Sequence, residues 1–205
     1  FVVSKKGHII SNYHVVEGCN QILIHIDDKT HKGIIIAVDK VNDLSLIQGD
    51  FKPKVVFPLS DVQPLLMQDI YVAGFPFGNY YSSSVKVTKG IISSLSGFAD
   101  DTNSLQFDAA SQPGNSGGPI LDEYGNIVGV TYASLSKVDT YKDFGVYPEN
   151  VNFGIKASVV ENLLLSNNVM LKSANTKKVS KSDLGYKIKK GTFILSCWVE
   201  NIKLF

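Results

Sequence analysis

Three short segments of this sequence carry side chains that could do chemistry together. The first is Gln112-Pro113-Gly114-Asn115-Ser116-Gly117-Gly118-Pro119. A serine that attacks an acyl carbon must present its hydroxyl on a tight turn, with neighbouring backbone N–H groups aimed at the developing oxyanion. The glycines on both sides of the serine permit such a turn, because glycine tolerates positive φ and close backbone approach. Read alone, the segment could also be a glycine-rich loop holding an ordinary serine. In the second segment, Ile9-Ile10-Ser11-Asn12-Tyr13-His14-Val15-Val16, a strand-like run ends and His14 follows, with aliphatic residues behind it. Histidine can take and return a proton near neutrality, although a lone histidine at a strand end is more often structural. The third segment, Asp39-Lys40-Val41-Asn42-Asp43-Leu44-Ser45-Leu46-Ile47, leads an aspartate into an apolar strand. Burying Asp43 is costly unless something pairs with it, and a histidine N–H is a fitting partner that would hold the imidazole in its working tautomer. Asp39, the rival, lies in a turn and needs no such partner.

Short β-type runs must position these groups. Val2–Ser4, Ile9–Asn12, Gln21–Ile26, Gly33–Val38 and Leu44–Ile47 are rich in Val and Ile, with turn residues at Lys5-Lys6-Gly7 and Asp27-Asp28-Lys29. After a looser stretch bearing Pro53, Pro58 and Pro64 comes a second series: Ile70–Ala73, Ser84–Ser94, Ser104–Asp108, Gly118–Leu121, Asn126–Ala133 and Val151–Ile155. Many short strands at this spacing favour a sandwich or barrels over a parallel α/β sheet. A helix is predicted at Ser158–Leu165, with Ser158 as N-cap and Asn167-Asn168 as its stop. The remaining tail reads as a polar connector, Lys172–Lys190, with little to bury, then a strand at Thr192–Val199 that covers an open sheet edge.

The bulk numbers narrow the function. The 205 residues can bury a sizeable core. Twenty lysines against 19 acidic residues leave a net charge of +1, and there is no arginine. That combination gives no electrostatic case for a nucleic-acid partner and removes the side chain best suited to base-edge recognition. No apolar stretch approaches the length of a membrane span. The chain opens at Phe1-Val2-Val3-Ser4, already strand-like, so an upstream segment carrying any targeting signal is expected. Cys19 and Cys197 match no metal-ligand spacing; a disulfide and two buried thiols both fit.

The three segments occur in the order His, Asp, Ser, and with their surroundings they resemble the HtrA/Deg-type trypsin-like serine proteases, in the short bacterial form without a recognisable PDZ domain. The matching stretches are FVVSKKGHIISNYHVV, VNDLSLIQ, VAGFPFG, VTKGIISSLSG, LQFDAASQPGNSGGPILDEYGNIVGV and NFGIKASVV, spanning Phe1 to Asn168. The resemblance implies an all-β fold of two six-stranded antiparallel β-barrels of the chymotrypsin/trypsin-like type, with a short C-terminal helix and an extra tail strand. The organisation expected is an N-terminal barrel at 1–52 carrying His14 and Asp43, a linker at 53–66, a C-terminal barrel plus helix at 67–171 carrying Ser116, and a tail at 172–205.

The resemblance further implies a catalytic triad of His14 as general base, Asp43 as its orienting carboxylate and Ser116 as nucleophile. The turn Gly114, Asn115, Ser116 would form the oxyanion hole, through the N–H groups of Gly114 and Ser116. The primary specificity pocket would be walled by Ala109, Ala110, Ser111 and Gln112 and by Thr131, Tyr132 and Ala133. Ala110, six residues before Ser116, stands where an enzyme cutting after Lys or Arg would carry an acid. An uncharged pocket rejects cations on desolvation grounds, so cleavage after small or medium aliphatic residues is expected. The backbone of Thr131–Ala133 would pair with the substrate as an added strand. Asp108 is assigned a structural hydrogen bond.

Asn115 stands where digestive relatives carry an aspartate that pairs with a freed N-terminal amine, so no zymogen cleavage is expected. Control by loop ordering is expected instead, at Phe75–Ser84 and Ser134–Asn150. Phe75-Pro76-Phe77-Gly78 reads as a packed loop near the site. His25, Asp27 and His31 fit no standard metal spacing and read as an exposed turn, so neither metal nor cofactor is expected. The expected partners are polypeptide substrates in the cell envelope, periplasm or secreted space, with a homotrimer if an N-terminal segment is present. Two functions follow: an endopeptidase acting on unfolded or misfolded chains, or a quiescent peptide-binding, chaperone-like module on the same scaffold.

Overall fold

Strand formation follows the apolar patterning, and the ladders can be read residue by residue. In a computed structural model, which describes residues 1–78, 82–134 and 149–199, eleven strands and two helices succeed one another. The first four strands are β1 (His8–Ser11), β2 (Gln21–Ile26), β3 (Lys29–Asp39) and β4 (Leu44–Gly49). β5 (Asp69–Gly74), β6 (Lys86–Ser94), β7 (Ser104–Phe107), β8 (Pro119–Leu121), β9 (Ile127–Ser134) and β10 (Asn152–Lys156) follow. Helix α1 (Ala157–Ser166), helix α2 (Lys181–Gly191) and strand β11 (Ile194–Trp198) complete the order.

The C-terminal strands close into a six-stranded barrel in the order β10-β7-β6-β5-β8-β9. Its interior is filled by Ile70, Val72, Ile92, Leu105, Phe107 and Ile120, all at most 1% exposed. The four N-terminal strands and the C-terminal β11 form a five-stranded sheet, β1-β4-β3-β2-β11, and this corrects the expectation of two six-stranded barrels. Val2–Ser4 is not a full strand there, because Val2 contributes only one isolated bridge to Ile9. A second apolar cluster joins the halves, with Ile10, Leu44 and Leu46 of the sheet packed with Leu121, Val130 and Ile155 of the barrel and Val160 of α1.

The tail buries more than its lysines promised. Leu184 and Ile188, one helical turn apart, are 4% and 1% exposed, and they hold α2 against the shared core. Ser180 caps this helix by accepting from Asp183 N–H at 3.1 Å. Beyond α2, β11 pairs antiparallel with β2, from Ile194↔His25 to Trp198↔Gln21, covering that edge. The helix α1 begins one residue earlier than expected, with Lys156 at the N-cap and no side-chain capping bond. Among the described residues no helix is long and apolar enough to cross a membrane.

Candidate active site

The β1–β4 ladder brings the histidine and aspartate turns together. Ser11 pairs with Ser45, so the residues just after β1 meet those just before β4. The carbonyl of Asp43 accepts from Tyr13 N–H at 3.1 Å and from Asn12 Nδ2 at 2.9 Å, while Ser45 Oγ donates to Asn12 O at 3.0 Å. Asp43 itself adopts a positive φ of 51°, a left-handed conformation that aspartate tolerates better than most residues. This backbone turns its carboxylate onto His14. Oδ1 accepts the His14 backbone N–H at 2.9 Å, and Oδ2 accepts from Nδ1 at 2.7 Å. Asp39 makes only turn contacts, accepting from Val41 N–H, Asn42 N–H and Asn42 Nδ2.

The electrostatics follow from that contact. The side-chain hydrogen bond to Asp43 raises the His14 pKa above its ordinary value of 6.5; partial burial opposes the rise, and the charges of Asp43 and Glu17 add to it. An ionised carboxylate only accepts, so Nδ1 carries the proton in the neutral ring and Nε2 keeps a free lone pair.

The Ser116 turn is built on close backbone approach. Asn115 N–H donates to Gln112 O at 3.0 Å and Gly118 N–H to Asn115 O at 2.8 Å. Gly117 N–H donates to Thr131 O at 2.8 Å and Thr131 N–H returns to Gly118 O at 3.0 Å, tying the turn to β9. On its other side Phe77 N–H donates to Pro113 O at 2.7 Å. Gly114 and Gly117 have φ of 101° and 75°. A Cβ on Gly117 would collide with Ser11 Oγ and lie 3.0 Å from Asn12 N, so this turn packs directly on the end of β1, next to His14.

His14 and Ser116 accordingly line one cavity of 370 Å³, together with Gly114, Gly117 and Phe75. Ser116 Oγ is not hydrogen-bonded to His14 in this arrangement. Among the described residues the N–H groups of Gly114 and Ser116 meet no internal acceptor, whereas that of Asn115 is taken by Gln112. Asn115 is 5% exposed, and its Oδ1 is buried without a hydrogen-bond partner.

The residues expected to wall a specificity pocket fall into two groups. Ala110 is exposed, and its carbonyl accepts from Thr88 Oγ1 at 2.8 Å. Ala109 is buried and its carbonyl accepts from Asn152 Nδ2 at 2.9 Å; Asp108 accepts from Ile91 N–H at 2.6 Å, a structural bond. Thr131 is buried, Tyr132 packs on Phe153 with ring centroids 6.4 Å apart, and Ala133 pairs with Phe153 in the β9–β10 ladder. β8 accompanies β9 only as far as Pro119↔Val130. Most of Ser134–Asn150 lies outside the described residues.

His25, Asp27 and His31 do not converge. His25 Nε2 lies 2.7 Å from Ser196 Oγ, Asp27 pairs with Lys190 at 3.0 Å, and His31 Nδ1 sits 3.2 Å from Asp50. Cys19 and Cys197 form a disulfide with a Cα–Cα distance of 5.3 Å, resolving the alternative left by the sequence. The supports at Asn12 and Ser45 were not anticipated, and neither were Thr192–Leu195, which line the His14–Ser116 cavity. Buried polar residues flanking His14 and Asp43 were the available signal for Asn12 and Ser45; the tail residues carried none beyond strand composition.

Residues 1–130 match the trypsin-like peptidase domain family, a stretch that contains His14, Asp43 and Ser116. The chain belongs to that family, and the proteins it is similar to include HtrA-type serine proteases. The serine protease Do-like HtrB of Bacillus subtilis is 33% identical over 169 residues, covering 77% of this chain and 35% of that protein. An uncharacterised protein of Sinorhizobium fredii, y4bJ, is 31% identical over 199 residues, 96% of this chain and 31% of that protein, a match that takes in the tail. Among solved structures, the HtrA-type protease AlgW with a decapeptide superposes with a TM-score of 0.66 at 26% identity, covering 81% of this chain and 50% of that one. The serine endoprotease from Yersinia pestis gives 0.65 at 25% identity, covering 81% and 55%. The chain therefore spans about a third of the length of these curated relatives and about half of the solved chains.

Proposed function

We propose that this chain hydrolyses peptide bonds through an acyl-enzyme on Ser116, with His14 as general base and Asp43 as its orienting group. The observation that carries the reading is the two-point hold of Asp43 on His14, set against a glycine turn bearing Ser116 in the same cavity. In the forward step Ser116 Oγ attacks the scissile carbonyl and passes its proton to His14 Nε2. The oxyanion takes hydrogen bonds from Gly114 and Ser116 N–H, each worth roughly 3 kcal/mol of barrier. The imidazolium, balanced by Asp43, then gives its proton to the departing amine as the C–N bond breaks. Water, deprotonated by His14, next attacks the ester carbonyl, and His14 returns that proton to Ser116 Oγ as the ester C–O bond breaks, releasing the new carboxyl end and Ser116.

The neutral side chain at Ala110 favours small or aliphatic residues on the acyl side, and the β9 edge beyond Thr131, whose own N–H and C=O are taken by the Ser116 turn, is where an extended substrate strand would add. Unfolded or misfolded polypeptides of the cell envelope are the proposed substrates. A relative in Pseudomonas savastanoi pv. phaseolicola is named a probable periplasmic serine endoprotease, and the Cys19–Cys197 disulfide suits an oxidising compartment. Assembly into a homotrimer belongs to the same reading.

One observation favours a second reading, a quiescent peptide-binding module: Ser116 Oγ and His14 are not hydrogen-bonded. Digestion of unfolded casein by the chain and by Ser116→Ala, with product ends read by mass spectrometry, separates the two. Cuts that vanish in the variant and follow aliphatic residues establish the protease; the same peptides bound and left intact by both proteins establish the module.

A further inference from the structure

The cavity at His14 and Ser116 adjoins a larger one. Phe75, Thr192, Phe193 and Ile194 line both the 370 Å³ cavity and a neighbouring one of 590 Å³, so the two adjoin along these residues and an extended ligand passing along them would meet both as one cleft. Ala110, Gln112, Thr131 and Tyr132, the walls assigned above to the acyl side, line neither part. An extended chain bound across Ser116 can leave in only two directions. If β9 takes the residues before the scissile bond, this cleft receives those after it.

One wall of the cleft is the C-terminal tail, and several contacts hold it in place. β11 is laddered onto β2, and the Cys19–Cys197 disulfide ties it to the segment just after His14. Val2 N–H donates to Gly191 O at 2.9 Å, immediately before the wall begins. The ring of Phe193 meets Phe51 edge-on at 5.6 Å. A wall ordered before substrate arrives spends no binding energy on its own ordering.

The chemistry of the cleft changes along its length. Near Ser116 it presents Phe75, Phe193 and Ile194. Farther out four lysines, Lys52, Lys54, Lys189 and Lys190, face two aspartates, Asp27 and Asp28, an excess of two positive charges. Lys190 is engaged by Asp27 at 3.0 Å. Lys52, Lys54 and Lys189 make no ion pair among the described residues.

We propose that the tail builds the leaving-group side of the substrate cleft and there selects an apolar residue next to the scissile bond followed by an acidic one. The inference rests on the protease reading for its orientation and on the cleft itself for its charge preference. It assigns the tail a part in substrate selection.

The test uses peptides that share one acyl-side sequence and differ only beyond the scissile bond, carrying Glu, Ala or Lys behind an apolar residue. Exposed charge pairs of this kind change rate or affinity by about two- to fivefold each. Glu peptides are therefore expected to exceed Lys peptides in kcat/KM by at least that factor at low salt, with the gap narrowing as salt is added. Lys54→Glu combined with Lys189→Glu should reverse the order and leave the acyl-side preference unchanged. The same peptides are titrated onto Ser116→Ala by fluorescence polarisation. Equal binding of Glu and Lys peptides, or an order unmoved by the charge reversal, overturns the inference whether or not the wild type cleaves. Absence of cleavage with an intact Glu preference in binding overturns the protease reading and leaves the acid-selecting cleft standing.

Discussion

Asp43 holds His14 at two points, through the backbone N–H at 2.9 Å and the ring Nδ1 at 2.7 Å, so a single carboxylate fixes both where the ring sits and which nitrogen is free. Asp43→Asn keeps the shape but can present an amide N–H toward Nδ1, which favours the wrong tautomer. The expected result is a loss of kcat of roughly 10⁴-fold with little change in circular dichroism, measured on a fluorogenic peptide.

In the proposed mechanism the raised His14 pKa sets the acid limb of the pH profile. His14 works as a base only when unprotonated, so kcat/KM should rise with pH through a value above the ordinary histidine value of 6.5 and be lost below it. The largest cause of the rise is the Asp43 hydrogen bond, so the limb should move to lower pH in the residual activity of Asp43→Asn. Stability runs the other way. A pKa raised on folding stabilises fully below the unfolded value and loses that contribution as pH climbs through the folded one. The denaturant midpoint gap between wild type and Asp43→Asn should therefore be larger at acid pH than at alkaline pH.

Gly117 is required by its backbone and by its neighbours. Gly117→Ala places a Cβ against Ser11 and Asn12 at a φ of 75°. A non-glycine residue held in that region costs about 1–3 kcal/mol. Urea unfolding should show that loss, and activity should fall further, because relief of the clash separates the Ser116 turn from the His14 turn.

The disulfide closes a sequence separation of 178 residues. Replacing both Cys19 and Cys197 by Ala should cost about 2–5 kcal/mol and lower the melting temperature by roughly 5–15 °C. Dithiothreitol should destabilise the wild type and leave the double variant unchanged in differential scanning fluorimetry.

Ala110 tests the acyl-side pocket. Ala110→Asp introduces the acid that a cation-accepting pocket would need, and cleavage after Lys should emerge while cleavage after Val declines. An unchanged cleavage pattern in a peptide library would remove Ala110 from the pocket.

The parts of the candidate site were legible in the sequence alone, because each of them is local. The glycines around Ser116, the histidine after an apolar strand and the aspartate entering one are written in stretches of eight or nine residues, and turn preferences act over such distances. Most strands were legible for the same reason, through Val and Ile patterning. Helix α2 was not, since Gly185 weakens its signal and only Leu184 and Ile188 mark an apolar face in a polar run, and what decides it is burial of those two against the shared core. Tertiary structure alone decided that Cys19 meets Cys197, that the N-terminal half is a five-stranded sheet, and that Thr192–Leu195 reach the cavity of His14. An edge strand joins whichever edge is open to it, and here that edge, β2, lies more than 160 residues earlier in the chain. Local propensity can specify that such a strand forms, whereas its partner is selected by the packing of the whole molecule.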